Sequence, residues 1–157
     1  MNGPVRLRRA DAADAPRIAA IHRESRAAAM PWLAVVHTPE EDLDFFARQV
    51  LPRARVWVAD VEGRVAGFVA LEGNRIEHLY IDPEYWRQGV GHLLLSRCLE
   101  QDGPLELWTF QRNERARRFY EAHGFVAAQI TDGSANEERE PDVLYVLDRH
   151  GTGRGAP

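Results

Sequence analysis

Hydrophobic and polar positions follow two different rhythms along the chain. Val5 to Arg9 alternates apolar with charged residues and predicts a short strand. Asp11 then starts a helix, with Asp14 three residues on in the place of a capping box. Ile18 and Ile21 give that helix its apolar side, and Pro31 stops it. Thr38-Pro39-Glu40-Glu41 is a second start signal, and Leu43, Phe46 and Val50 set the apolar stripe of the second helix. Two strand-like runs, Arg55 to Val61 and Val65 to Glu72, flank a tight Glu62-Gly63 turn. Gly73-Asn74 turns the chain into a third, Ile76 to Ile81. A helical run from His92 to Gln101, a strand Leu105 to Phe110 and an Asn113-capped helix ending near Ala122 come next, with Gly124 where a helix C-terminus takes a left-handed residue. Phe125 to Thr131 and Val143 to Leu147 read as the final strands, separated by a polar loop. The order β-α-α-β-β-β-α-β-α-β-β predicts a single-domain mixed α/β fold, a twisted sheet of about seven strands with about four helices.

Composition narrows the class. The 157 residues suit one domain and bury roughly 70% of their unfolded surface, enough for a core without disulfides or metals. No repeat or linker divides the chain, so residues 1–150 read as the domain and 151–157 as a flexible C-terminal tail. A formal charge of -4 argues against a nucleic-acid partner, which calls for a basic excess. The lone Cys98 excludes an internal disulfide framework, and the six histidines form no H-x-x-x-H pair, so no metal is expected. No apolar run reaches the ~18–20 residues of a membrane helix, and the start M-N-G-P-V-R-L-R-R has no apolar signal core. The expectation is a cytoplasmic protein without a membrane partner.

The first chemical signal is W-R-Q-G-V-G, residues 86–91, between an apolar strand and a helical run. Glycines there let backbone amides turn toward one point, at the positive end of the helix beyond, which suits a phosphate or pyrophosphate. Arg87 adds a positive charge. The loop is not a P-loop, since no Gly-Lys-Ser/Thr comes after it, and it lacks the third glycine of the dinucleotide fingerprint. By itself it is equally compatible with a turn that merely needs two glycines.

The strand I-E-H-L-Y-I-D-P before this loop, the L-L-L run after it, and N-x-x-A-x-x-F-Y-x-x-x-G-F from Asn113 to Phe125 together resemble the GCN5-related N-acetyltransferase (GNAT) family. The loop matches the family's Q/R-x-x-G-x-G/A motif with one departure: Trp86 stands where the family has Gln or Arg. The resemblance spans Val5 to about Arg149. It implies a sheet whose two central strands, Ile76 to Ile81 and Leu105 to Phe110, run parallel and splay apart around acetyl-CoA, the co-substrate. The implied contacts are Leu79, Tyr80 and Ile81 along the pantetheine arm, Arg87, Gln88, Gly89, Val90, Gly91 and His92 around the pyrophosphate, and Asn113, Arg117 and Tyr120 from the last helix. Asn113 is at the same time a plain N-cap.

Amine acetylation needs a proton taken from the amine, an oxyanion stabilised and a proton given to the leaving thiolate. The resemblance makes Tyr120 the general acid. A phenol of pKa about 10 donates to a thiolate of pKa about 8.5 slightly uphill. Glu77 is the first candidate for the base, His78 the second, and ordered water the third. Strict strand alternation groups Arg75, Glu77, Leu79 and Ile81 on one face and Ile76, His78 and Tyr80 on the other. Family likeness also implies an oxyanion donor among the backbone amides near Leu79 or Tyr80.

In the family, the first two helices and the final hairpin build the acceptor pocket. Here they offer His22, Arg26, Trp32 and His37, together with a loop carrying Asp132, Glu137, Glu138, Glu140 and Asp142, whose carboxylates either attract a cationic amine or are simply solvated. Trp32 and Trp108 are candidate apolar walls, and Cys98 reads as a small buried hydrophobe. The leading expectation is acetyl transfer to a small-molecule amine in a ternary complex. Transfer to a protein N-terminus or lysine, and a non-catalytic acyl-CoA sensor, are the alternatives. Homodimers are common in the family, although no residue here by itself supports one.

Overall fold

The computed structural model describes residues 3–149; the tail expected at 151–157 lies outside the described residues. Seven strands form one sheet in the order β1-β2-β3-β4-β5-β7-β6. They are β1 (Val5–Arg9), β2 (Arg55–Val61), β3 (Arg64–Glu72), β4 (Arg75–Ile81), β5 (Leu105–Phe110), β6 (Val126–Thr131) and β7 (Asp142–Leu147). Four helices accompany them: α1 (Ala15–Ala29), α2 (Pro39–Phe45, continued by a π-helical turn at Phe46–Val50 and a last turn at Leu51–Arg53), α3 (Val90–Leu99) and α4 (Glu114–Ala122).

The central strands are buried on both faces, as strands covered by helices on each side must be. Val56, Val58, Phe68 and Ala70 face one core with Ile18 and Ile21 of α1 and Phe46 beyond α2. Their neighbours Trp57, Ala59, Val69 and Leu71 face a second core with Leu94, Leu95 and Cys98 of α3 and Tyr120 of α4. Capping boxes at Asp11–Asp14 and Thr38–Glu41 form as the residue pattern predicts, although the first opens a 3-10 turn that leads into α1. One stripe position differs. Phe46 and Val50 are buried, but Leu43 is 39% exposed. The π-helical turn puts Phe46 and Val50 out of phase with Leu43, and Asp42 is buried in its place, held by Arg23 at 2.7 Å.

Two irregularities prepare the site. Strands β4 and β5 are parallel and share only the pair Arg75↔Glu106; no further ladder pair joins them beyond it. Within β4, Ala70 pairs with His78 while Leu71 pairs with Ile76, so Glu77 is a bulged residue without a ladder partner. The bulge corrects the alternating face assignment. Ile76 packs in the α3/α4 core, on the side of Leu79 and Ile81, while His78 packs against Phe46 and Phe68 on the other side.

Candidate active site

Where β4 and β5 part, a cavity of about 480 Å³ opens between the end of β4, the loop before α3 and the first turns of α4. The loop is built for this. Gly89 takes φ 82 as N-cap of α3, and a Cβ there would meet nothing within 4 Å. No side chain caps α3. The first α-helical bond here runs from the Leu93 amide to the Gly89 carbonyl at 3.1 Å, so the amides of Val90, Gly91 and His92 precede the ladder. Gly91 lets α3 approach α4: a Cβ on it would lie 3.4 Å from the Phe119 ring. The uncapped helix end, the left-handed turn and the open space together suit an anionic group.

Leu79, Tyr80, Ile81, Arg87, Gly89, Val90, Gly91, His92, Asn113 and Tyr120 all line this cavity. Asn113 caps α4 by accepting from the Ala116 amide at 3.2 Å, and its amide nitrogen lies 3.5 Å from Met30 Sδ. His123 donates through Nδ1 to the Phe119 carbonyl at 2.8 Å, and a hydrogen bond of 2.9 Å between its Nε2 and His92 Nδ1 fixes the His92 ring at the mouth.

Two expected contacts lie elsewhere. Arg117 points away from the cavity, donating to the Tyr145 hydroxyl at 2.9 Å and to the Gln111 carbonyl at 3.3 Å, and so braces α4 against β7. Gln88 does not line the cavity, and its side-chain amide donates to the Glu84 carbonyl at 3.2 Å. Residues that sequence reasoning passed over take part instead: Met30 at the end of α1, Tyr85, and Arg115 on α4.

The Tyr120 side chain is 8% exposed and lines both this cavity and a smaller cleft of about 90 Å³ within the splay. Burial raises its phenol well above the ordinary value, so the hydroxyl stays protonated. Cys98, fully buried in the same core, is pushed up to about 11 by desolvation and is no thiolate nucleophile. Glu77 and His78 line the splay cleft with Trp108, Thr109 and Phe110. Glu77 is exposed, yet partial desolvation raises its carboxyl above the ordinary value. His78 stands among the rings of His22, Phe45, Phe46, Phe68 and Tyr80, where burial lowers it to about 4, so the imidazole is neutral.

A third cavity, of about 260 Å³, lies under the β6–β7 loop, between α1 and the segment after it. Met30 borders all three cavities. His22, Arg26 and His37 line the third, whereas Trp32 lies under the Arg112 guanidinium at 4.0 Å. The loop carboxylates are neither a free ring nor simply solvated. Glu138 accepts from Arg26 at 3.1 Å, Glu137 from His37 at 3.0 Å and Glu140 from Arg112 at 2.8 Å. Asp132 and Asp142 cap and brace the loop itself. Gly133 makes the fold-back possible, since a Cβ there would lie 2.3 Å from the Glu140 carbonyl carbon. His22 is held at about 3 by burial and by the adjacent Arg26, which donates to its Nε2 at 3.2 Å.

Among the described residues there is no cluster of metal-ligating side chains and no helix long and apolar enough to cross a membrane.

The chain belongs to the GNAT acetyltransferase family: a profile described as "Acetyltransferase (GNAT) domain" matches residues 52–127. It is 31% identical to peptidyl-lysine N-acetyltransferase YjaB of Escherichia coli over 122 residues, 77% of this chain and 82% of YjaB. The solution structure of apo YjaB superposes with a TM-score of 0.76 at 27% identity, covering 92% of this chain and 97% of that one. The chain spans about half the length of two further E. coli relatives, 50% of the uncharacterized N-acetyltransferase YafP and 52% of peptidyl-lysine N-acetyltransferase YiaC.

Proposed function

We propose that this protein transfers an acetyl group from acetyl-CoA to the primary amine of a small molecule, by direct attack while both substrates are bound. The observation that carries the reading is the uncapped turn at Gly89–His92 opening on a cavity that ends at Tyr120 and adjoins a second, loop-covered cavity at Met30. Acetyl-CoA, when bound, supplies a thioester whose carbonyl carbon the amine attacks and whose sulfur leaves.

The chain's own residues handle position and protons. The Val90–His92 amides and Arg87 hold the phosphates, and the backbone near Leu79 and Tyr80, where β4 has parted from β5, pairs with the extended arm. The C–N bond forms and the C–S bond breaks. The amine nitrogen loses a proton toward Glu77, directly or through water, and Tyr120 gives its hydroxyl proton to the departing sulfur. Desolvation raises a thiol as well as a phenol, so the mismatch between Tyr120 and the sulfur stays small in the shared apolar site. His78, neutral and enclosed by rings, is the second candidate for the base, and its weak basicity favours Glu77. Cavity geometry alone supplies proximity, a contribution on the order of several kcal/mol.

The covered acceptor cavity supports a small, slender amine. The names of YjaB and YiaC support a second reading, in which a protein lysine threads its side chain into the same cavity. A panel of small amines and lysine peptides, scored by thiol release from acetyl-CoA, tests both. Turnover of small amines but not peptides supports the first reading, and the reverse supports the second. Thermal stabilisation by acetyl-CoA with no turnover of any acceptor would leave the acyl-CoA sensor.

A further inference from the structure

The glycine loop departs from the family motif at Trp86, and the structure gives that departure a use. The Trp86 indole is fixed, its N–H donating to the Ile81 carbonyl at 2.9 Å. Across its face lies the guanidinium of Arg115, 3.8 Å from the ring centroid, the shortest of the cation–ring contacts among the described residues. Arg115 comes from the first turns of α4, not from the loop, and both residues line the 480 Å³ cavity together with Arg87.

Arg87 stands beside this stack in a left-handed conformation, φ 64. Desolvation, and then the nearby Arg87 guanidinium, lower Arg115 from the ordinary guanidinium value. Among the described residues neither has a carboxylate within 4.0 Å, and neither guanidinium donates a hydrogen bond to protein. On the acceptor side, by contrast, Arg23 and Arg26 are each paired with a carboxylate. Two adjacent cations without a counter-charge, lining a cavity whose floor is uncapped amides, leave room for an anion. Stacking holds the planar guanidinium while leaving its N–H edge free for bidentate contact with phosphate oxygens.

We propose that Arg115, held on Trp86, is a second phosphate-gripping group of the donor cavity. Trp86 is then a positioning residue that lets α4 deliver the cation which position 86 itself does not carry. The inference rests on the acetyl-CoA reading and deepens it: this chain binds the nucleotide half of coenzyme A from two elements, α4 as well as the loop.

Equilibrium binding of coenzyme A, 3′-dephospho-coenzyme A and pantetheine to the whole protein tests it. Arg115→Ala is expected to weaken coenzyme A about tenfold, the size of one charge-assisted hydrogen bond, and to leave pantetheine unchanged. A loss that persists with the dephospho form assigns the contact to the diphosphate; a loss confined to coenzyme A assigns it to the 3′-phosphate. Trp86→Arg added to Arg115→Ala is expected to recover affinity. Unchanged affinity in a folded Arg115→Ala protein would overturn the proposal, as would an equal loss with pantetheine, which carries no phosphate. A double variant as weak as Arg115→Ala would overturn the role of Trp86. Wild-type protein that binds none of the three ligands would instead remove the acetyl-CoA reading, and this inference with it.

Discussion

The donor and acceptor sides of this protein meet at Met30 and treat charge in opposite ways. On the donor side, Arg87 and Arg115 are left without carboxylate partners, and the amides of Val90–His92 are uncapped. On the acceptor side, charge is spent within the protein: Arg26–Glu138, His37–Glu137 and Arg112–Glu140 tie the β6–β7 loop to α1, to the segment after it and to the β5–α4 connection. The difference teaches what each side is for. A cavity for a multiply charged ligand must keep positive charge in reserve, because an internal carboxylate would compete with the ligand. A covering loop needs latches, and three of its acidic residues are paired within the protein.

The sharpest break of that comparison is at the meeting point. Tyr120→Phe is expected to lower turnover by about 10²-fold, the usual worth of a placed acid, with nearly unchanged acetyl-CoA affinity and amine KM. Equal turnover in the two proteins would remove the acid assignment. Next in size, Gly133→Ala forces a Cβ against the Glu140 carbonyl and must displace the loop. It is expected to raise the amine KM by about tenfold while leaving acetyl-CoA binding intact, since ~1.4 kcal/mol is a modest cost for such a clash. An equal loss on both substrates would mean that the two sides are not separable.

Glu77→Gln addresses the proton path and is expected to lower turnover severalfold. Because Glu77 is raised and must be ionised to act as a base, wild-type activity falls as pH drops through its raised pKa. The variant is expected to lose that acid-side fall, and a retained fall would leave water or His78 as the carrier. The smallest effect concerns the His37 latch. The hydrogen bond that His37 donates to the Glu137 carboxylate raises the His37 pKa in the folded protein. A raised histidine contributes stability that is fully present below its unfolded value of about 6.5 and is lost as pH rises through the folded value. His37→Gln is therefore expected to raise the amine KM slightly below pH 6.5 and to have no effect at clearly alkaline pH. A pH-independent difference would contradict the latch.

Much of the fold was legible in the residue pattern, and the misses share a cause. Strands β1, β2 and β5 begin and end where alternation and turn residues predict them, and Asn113 caps α4 as its residue type suggests. These are local matters, decided within a few residues. The bulge at Glu77 was not legible, because register is set by β3 across the sheet and not by β4 alone. Arg115 and Arg117 are chemically identical and two positions apart on one helix. Only packing decides that the first meets Trp86 over the cavity while the second braces Tyr145. The loop carboxylates were visible, but their partners were not: Arg26 and Glu138 lie 112 positions apart.

By itself, then, the sequence determined the order of elements and the glycine loop suited to an anion. Each arises from periodicity, capping and glycine conformation, which act over short stretches of chain. The tertiary structure alone decided which charges remain unpaired, where β4 bulges, and that three cavities converge on Met30. Those depend on distances between segments remote in sequence, and Coulomb energy and packing read those distances, not the spacing along the chain.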